Sequence, residues 1–186
     1  MNARRLPREF FARPTLTVAR ALLGKVLLRR TSGRTVTGRI TEVEAYRGEN
    51  DHACHASRGR TLRTEPLYAR AGTAYVYMVY GMYHCLNVVT ERAEFPAAVL
   101  VRSCEPLSLS FSREASMAGP GRLCRALDIT RALNGIDLTR STVLWFADDG
   151  YRVNSQDVLR TPRIGVAYAG TSASWPWRFV LRSRRH

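Results

Sequence analysis

The sequence predicts an α+β fold in which residues 1–186 form a single domain with a mostly antiparallel sheet and flanking helices. The chain has 186 residues, a length that fits one domain with its own buried core. Segments rich in Val, Tyr and Thr indicate strands. Short turns that contain glycine separate several of these segments, which favours antiparallel neighbours, and no internal repeat interrupts the pattern.

The first predicted elements are one helix and two strands. Residues from Thr15 to Leu23 have helical apolar spacing, with Thr15 as N-cap and Gly24 just past the end. Residues 26–30 and 35–46 indicate two strands joined at a turn over residues 31–34. Alternation along the second strand places four side chains on one face, namely Ile40, Glu42, Glu44 and Tyr46.

The middle of the chain predicts a long loop followed by a hairpin. Residues 47–72 are polar, rich in Gly and Arg, and lack periodicity, so we expect one long loop of the kind usually kept for function. Residues 74–80 and 83–90 indicate a hairpin with Gly81 at its turn. A further strand is expected over residues 97–102.

The last third predicts one helix and two strands. Gly119-Pro120-Gly121 precedes a helix from about Arg122 to Leu127. Late strands are expected over residues 163–167 and 178–181. These elements complete the mixed pattern on which the α+β prediction rests.

The charge of the chain indicates a polyanionic partner. The formal net charge is +14, and Lys25 is the only lysine among 29 basic residues. A GC-rich genome favours arginine over lysine, but that bias does not create net charge, so nucleic acid is the expected partner.

The remaining composition predicts a cytoplasmic protein. No apolar run approaches a membrane span, and residues 1–13 carry charges throughout, unlike a signal peptide. The four cysteines, Cys54, Cys85, Cys104 and Cys124, are too widely spaced for a C-x-x-C site and are expected to be buried free thiols.

Two carboxylates on one strand are candidates for acid–base chemistry. A carboxylate that faces inward from a half-buried strand costs free energy unless it is paired or used, which makes Glu44 a candidate general base. The alternative is that Glu42 and Glu44 form ordinary salt bridges on a solvated sheet face. Alternation by itself does not rank one above the other.

A metal site is a weaker interpretation of the polar loop. His52, His55 and Asp51 are close in sequence, but an H-x-x-H pair in a loop lacks the ligand spacing expected of zinc. A metal-dependent nuclease that used Glu42, Glu44, Asp51 and His55 would require divalent cations. The spacing therefore argues against a metal site.

The predicted hairpin is dense in tyrosine. In a basic protein, an aromatic ring beside a hairpin glycine can act as a wedge between base steps, and Tyr80 precedes Gly81. The alternative is that these tyrosines pack across the sheet, which suits Tyr75 and Tyr83 better than Tyr80.

Several runs resemble the alkyladenine (3-methylpurine) DNA glycosylase family, in its compact bacterial form. They cover about residues 9–182 in the family order. The match is weakest over residues 60–71 and 170–175. The matching runs are Glu42-Val43-Glu44-Ala45-Tyr46, residues 75–87, Val99–Leu107, Gly119–Cys124 and Arg163–Val166.

The resemblance implies a role for each matching residue, a curved antiparallel sheet, and no requirement for a metal or an organic cofactor. Glu44 matches the general base and Arg102 a residue that places the attacking water. Asn87 lies against the purine near its two-position, and Leu100 lines the same pocket. The residues that enclose the base are Tyr46, His55 and Tyr77; those at the intercalating tip are Tyr80 and Met82.

The activity implied is base excision repair by a monofunctional DNA glycosylase. Such an enzyme flips an alkylated or deaminated purine from double-stranded DNA and hydrolyses its glycosidic bond. Lyase chemistry needs an amine, and the sole lysine, Lys25, is expected near an early helix end. We expect a monomer at the bacterial nucleoid, with no membrane partner. A noncatalytic nucleic-acid-binding module on the same scaffold is the alternative.

Overall fold

The computed structural model describes residues 3–108 and 116–182, which include nine strands and three α-helices. Five short 3-10 helices cover His55–Arg58, Glu65–Tyr68, Arg131–Leu133, Ser155–Asp157 and Ala167–Ser174. In chain order the other elements are β1 (Arg4–Arg5), α1 (Arg8–Phe11), α2 (Thr15–Leu22), β2 (Val26–Thr31), β3 (Arg34–Arg47), β4 (Ala74–Val79), β5 (Tyr83–Val89), β6 (Ala97–Pro106), α3 (Pro120–Ala126), β7 (Leu144–Asp148), β8 (Val158–Thr161) and β9 (Arg178–Leu181).

One antiparallel sheet organises the described residues. Its order is β1-β7-β2-β3-β6-β5-β4, with β9 paired to β3 and β8 paired to β9. Because β6 pairs with β3 along residues 38–47, β2 and β9 share the opposite edge of β3, at residues 34–39 and 42–44 respectively. The predicted α+β class is confirmed.

A β-bulge lies at the point where the sheet divides. The pairing of β3 with β6 shifts register between Ile40 and Glu42 and again between Glu42 and Val43. An extra residue at a bulge changes the face that the following side chains occupy. Ile40 therefore lies in the main core together with Val43, and the prediction that Ile40 shares a face with Glu44 is wrong.

The two faces of the sheet bury different clusters. The main core includes side chains from α2, α3 and one face of the sheet, for example Leu22, Val76 and Leu123. A smaller cluster lies on the other side of β4, where Tyr75 is buried and Tyr77 packs against its edge. Its other buried members are Cys54, Ala56, Leu67, Tyr68, Val89 and Ala98. Alternation along β4 thus separates Val76 from the two tyrosines.

A row of directly opposed residues crosses four strands. Glu44 of β3 pairs with Leu100 of β6, Leu100 pairs with Asn87 of β5, and Asn87 pairs with Tyr75 of β4. Opposed residues in antiparallel strands project from the same face. The sheet therefore places these four side chains in one line on the face opposite the main core.

Two predicted helix boundaries are wrong. Thr15 is the first residue of α2 and not its N-cap; Pro14 precedes it, and the Thr15 backbone N–H donates to the Glu91 carboxylate at 3.1 Å. The Glu91 side chain thus satisfies an N–H that the helix leaves free. Helix α3 begins at Pro120, two residues before the predicted start, because proline is favoured in the first turn.

Two further segments differ from the prediction. Residues 47–72 contain two 3-10 helices, and Leu67 and Tyr68 anchor them in the smaller cluster, so the prediction of one structureless loop is wrong. No strand forms over residues 163–167, because Gly165 adopts φ +75°, which lies outside the extended region. The strands β1, β7 and β8 and the helix α1 were not predicted.

A fully buried ion pair joins three of these segments. Both side chains of Asp51 and Arg163 have no solvent exposure, and their N···O distances are 2.6 and 2.7 Å. Arg163 also donates to the carbonyl oxygens of Ala45 and Ser172 at 2.8 and 3.0 Å. Asp51 in turn accepts the backbone N–H of Arg47 at 3.2 Å. Strand β3, the loop after it and the segment 162–172 are therefore held together.

We predict that Asp51→Asn lowers the free energy of unfolding by about 3–5 kcal/mol, because Arg163 would keep a buried charge without a counter-ion. Urea denaturation followed by circular dichroism measures the change. Glu65→Gln is the control, since Glu65 pairs with Arg60 at the surface and its loss should change the midpoint far less. Equal losses for both variants would contradict the prediction.

Candidate active site

A cavity of about 550 Å³ opens on the sheet face that carries the row of opposed residues. Its wall combines β4, β5 and β6 with parts of the segments 53–67 and 164–168. Seven of the nine residues predicted for the site line it: Tyr46, His55, Tyr77, Tyr80, Asn87, Leu100 and Arg102. The other two, Glu44 and Met82, lie elsewhere.

Glu44 lies behind the cavity wall and contacts three residues that form it. The side chain is fully buried on β3. Its Oε2 accepts hydrogen bonds from the Tyr46 hydroxyl at 2.8 Å and from Arg102 Nη1 at 3.2 Å. Its Oε1 accepts the backbone N–H of Ile164 at 2.8 Å. These donors satisfy a buried carboxylate and fix its orientation.

Glu42 has a different environment from Glu44. It accepts Arg102 Nε at 2.8 Å, Arg178 Nε at 2.7 Å and the Ser103 hydroxyl at 3.1 Å. Burial raises the pKa of Glu42, but the hydrogen bonds from Arg178 and Arg102 outweigh it and the net pKa is lowered. Glu42 therefore forms the salt bridges that were the alternative interpretation of both carboxylates.

The rings around the cavity are neutral near pH 7. Burial, followed by the charge of Glu44, raises the pKa of Tyr46 well above its usual range. Burial likewise raises the pKa of Tyr77. Burial and then the charges of Arg63 and Arg58 lower the pKa of His55 to about 4. The result is a wall of uncharged aromatic surface.

Contacts between these rings fix their positions. The His55 ring lies edge-on to Tyr77, with centroids 4.5 Å apart, and His55 Nδ1 lies 2.9 Å from the Tyr75 hydroxyl. The Arg163 guanidinium lies 4.7 Å from the centroid of the Tyr46 ring. Flat unsaturated ligands stack well on rings held in this way.

Asn87 and Leu100 lie next to each other deep in the cavity wall. Their exposures are only 3% each, which marks them as wall residues with little surface in contact with solvent. The Asn87 amide nitrogen donates to the Tyr75 carbonyl oxygen at 3.0 Å. This bond within the hairpin orients the amide. Asn87 therefore links two strands, whether or not it also contacts a ligand.

The hairpin tip presents apolar side chains to solvent. Tyr80 is 89% exposed and Met82 66% exposed. Tyr80 at φ +53° and Gly81 at φ +68° are the central residues of a tight turn closed by Met82 N–H to Val79 O at 3.2 Å. A left-handed conformation costs a bulky residue about 1–2 kcal/mol, so the exposed Tyr80 ring is held there against its own preference. Met82 borders a separate cleft beside Tyr83 and His84.

Three further residues of the site were missed from the sequence. Ile164 supplies the backbone N–H to Glu44, although its segment was interpreted as a strand. Arg63 lines the cavity, with its guanidinium 5.8 Å from the centroid of the Tyr77 ring. Tyr168 lines the cavity from a 3-10 helix that no periodicity indicates. The sequence signalled only one of these residues, through the run Arg163-Ile164-Gly165. That run does not show that the Ile164 N–H donates to Glu44.

Other features of the described residues bear on the alternatives. Within residues 3–108 and 116–182, no group of three or more His, Cys, Asp or Glu side chains is placed to hold a metal ion. The same residues include no helix with both the length and the hydropathy needed to span a bilayer. All four cysteines are buried free thiols, as predicted.

The fold and the site together define a class of protein. A buried carboxylate that contacts a cavity with aromatic walls, in a chain of formal charge +14, is the arrangement of an enzyme that acts on nucleic acid. Comparison with known proteins identifies which one. The family model described as "Methylpurine-DNA glycosylase (MPG)" matches residues 9–185.

Relatives in several microorganisms match nearly the whole chain. A protein of Methanocella arvoryzae is 50% identical over 184 residues, with 94% of this chain and 90% of the relative covered. A protein of Myxococcus xanthus is 49% identical, with 97% and 92% covered. Both bear the name "Putative 3-methyladenine DNA glycosylase". The chain belongs to the methylpurine-DNA glycosylase family and is a DNA repair glycosylase, a hydrolase that acts on DNA.

We predict that His55 makes the protein less stable as the pH falls from about 6.5 to about 4. The unfolded chain takes up a proton near pH 6.5, whereas folded His55 resists protonation until about pH 4, so protons favour unfolding in that window. Urea denaturation at several pH values should show a smaller pH dependence for His55→Gln than for the wild type. An unchanged pH dependence in His55→Gln would contradict the prediction.

Proposed function

We propose that the protein flips an alkylated or deaminated purine out of double-stranded DNA and hydrolyses its bond to deoxyribose with a water molecule activated by Glu44. An abasic site is the product. The observation that carries this proposal is the Glu44 carboxylate, which is held by Tyr46, Arg102 and the Ile164 N–H directly behind an aromatic cavity.

The cavity has the chemistry of a pocket for one nucleobase. Its volume of about 550 Å³ exceeds that of a single purine, and its rings are uncharged. The His55 and Tyr77 rings contact each other, with centroids 4.5 Å apart, so no base fits between them. The purine would therefore lie with these two rings on one face and Tyr46 on the other. Such stacking accepts several damaged purines, because every base has a π-face. Asn87 and Leu100 would contact its edge.

Glu44 has the position required for hydrolysis. Breaking the glycosidic bond builds positive charge on the sugar, and a nearby carboxylate both stabilises that charge and accepts a proton from the attacking water. Arg102 contacts Glu44 and also lines the cavity, so it can help to place that water. The Tyr46 hydroxyl and the Ile164 N–H prevent the carboxylate from turning away.

The hairpin tip has the shape of a wedge for the DNA stack. Tyr80 is exposed at a turn that fixes its backbone, and Met82 is exposed next to it. An aromatic ring inserted at the site of an extruded nucleotide replaces the lost stacking. Arginines would hold the phosphates without reading sequence, which suits a search along any DNA.

Lyase chemistry has no suitable amine among the cavity residues. Lys25 is the only lysine of the chain, its Nζ pairs with Asp148 at 2.7 Å, and it does not line the cavity. A Schiff base with the sugar needs an amine at the reacting carbon. We therefore propose a monofunctional enzyme. From its family we expect it to act without a metal or an organic cofactor.

We predict that Glu44→Gln reduces excision at least about 10²-fold and leaves lesion binding within about tenfold, because the amide keeps the shape but cannot accept the proton. Duplexes that carry hypoxanthine, ethenoadenine, 3-methyladenine or 7-methylguanine are incubated with excess protein and then cleaved with alkali at abasic sites. Full activity in the variant would remove Glu44 from the role of base.

Two further conditions of the same excision assay distinguish the proposed mechanism from its alternatives. Wild-type excision should persist in excess chelator, and borohydride should trap no covalent DNA adduct. Loss of activity in chelator that magnesium or zinc restores would favour the metal-dependent nuclease. Tight binding without excision of any of the four lesions would favour the noncatalytic binding module.

We predict that Tyr80→Ala weakens capture of the extruded nucleotide by about 1–3 kcal/mol, because a small side chain leaves a gap in the base stack. Fluorescence of a 2-aminopurine placed beside the lesion reports the unstacked state, and single-turnover excision reports its consequence. Tyr151→Ala serves as the control, since Tyr151 is also exposed but packs on Arg39 away from the hairpin. Equal effects of the two variants would exclude Tyr80 as the wedge.

A further inference from the structure

We propose that Glu42 is a positioning residue that acts through Arg102: it holds the guanidinium against Glu44 and balances the positive charge around the reacting carboxylate. This inference rests on the proposed function of Glu44. It gives the second carboxylate of the strand a role in the reaction, although Glu42 does not line the cavity.

The geometry places Arg102 between the two carboxylates. Its Nε donates to Glu42 Oε1 at 2.8 Å, and its Nη1 donates to Glu44 Oε2 at 3.2 Å. The side chains of Arg102 and Glu42 are only 12% and 14% exposed. Two anchors on one planar guanidinium fix its direction, so the Glu42 contact sets how Arg102 approaches Glu44.

Glu42 is itself held on three sides. Arg178 Nε and Arg102 Nε both donate to its Oε1, at 2.7 and 2.8 Å, and the Ser103 hydroxyl donates to its Oε2 at 3.1 Å. Ser103 Oγ in turn accepts the backbone N–H of Gly119 at 3.1 Å, at the start of α3. Glu42 thus links β3, β6, β9 and α3 at the bulge.

The ion-paired network around Glu44 contains equal numbers of arginines and carboxylates. Arg163 is paired with Asp51, and Arg178 lies opposite Glu44 in the pairing of β9 with β3. Together with Arg102 the network has three arginines. Their ion-pair partners are three carboxylates, those of Asp51, Glu42 and Glu44. Removal of the Glu42 charge would leave one positive charge unbalanced beside the site.

Such an excess would oppose the reaction. Positive charge develops on the sugar during bond cleavage, and a nearby unpaired cation raises the free energy of that state. Burial lowers the pKa of Arg102, but the charge of Glu44 and the contacts with Glu42 raise it by more. The net pKa is raised, so the arginine remains charged. The balance must therefore come from a second carboxylate.

The test compares single-turnover excision by Glu42→Gln, Arg178→Gln and the double variant. Gln at position 42 still accepts from Arg102 Nε but leaves one excess positive charge, so the rate should fall about tenfold to a hundredfold, with lesion affinity within about threefold of wild type. Arg178→Gln by itself removes one positive charge and one donor to Glu42, and it is measured as the reference for the double variant. The double variant restores equal charges and should recover at least about fivefold over Glu42→Gln.

Asp149→Asn is the matched control, because it removes the same charge from an ion pair of similar burial with Arg39 and should retain the wild-type rate. A double variant as slow as Glu42→Gln, or a wild-type rate in Glu42→Gln, overturns the inference while the proposed function stands. If Glu42→Gln does not fold, a double variant more than about tenfold slower than Arg178→Gln overturns it. Absence of excision by the wild type overturns the proposed function and this inference together.

Discussion

The buried pair between Asp51 and Arg163 is the interaction on which the site depends. Desolvation of two charges costs several kcal/mol each, and only close geometry with additional hydrogen bonds offsets that cost. Here both carboxylate oxygens and both terminal guanidinium nitrogens are satisfied. Because Arg163 precedes Ile164, the same pair sets the N–H that Glu44 accepts. It also supports the Tyr46 ring through a cation–π contact.

Ion pairs lie beneath the cavity, and uncharged aromatic rings form part of its wall. Beneath the cavity, carboxylates and arginines alternate in contact with one another, and each is held by at least one ion pair. Around the cavity, burial lowers the pKa of His55 to about 4 and raises the pKa of Tyr46 and Tyr77, so these three rings are uncharged near pH 7. Uncharged rings in fixed positions lower the cost of burying a heterocycle, while the paired charges behind them keep one carboxylate available to an incoming water.

The sequence predicts the parts of this fold that depend on local patterns. Alternation and the Tyr80-Gly81 turn predict the β4–β5 hairpin, which is confirmed with nearly the expected boundaries. Local patterns do not predict the Asp51–Arg163 pair, whose members are 112 residues apart. Nor do they show the bulge at Ile40, because a bulge depends on how β6 pairs with β3. Strand alternation likewise leaves Glu42 and Glu44 equivalent; their environments differ only because partners from β6, β9 and Ile164 meet them after folding.

One strand carries both the pocket and the proposed wedge, which couples the two steps of the proposed reaction. Tyr77 lies in the cavity wall on β4, and Tyr80 follows three residues later at the turn. A rise of roughly 3.3 Å per strand residue places their backbones about 10 Å apart. The pairing of β4 with β5 and the bond from Asn87 to Tyr75 make that spacing rigid. Insertion of Tyr80 into the stack therefore brings the aromatic pocket to a fixed distance from the gap, the distance an extruded base must cross.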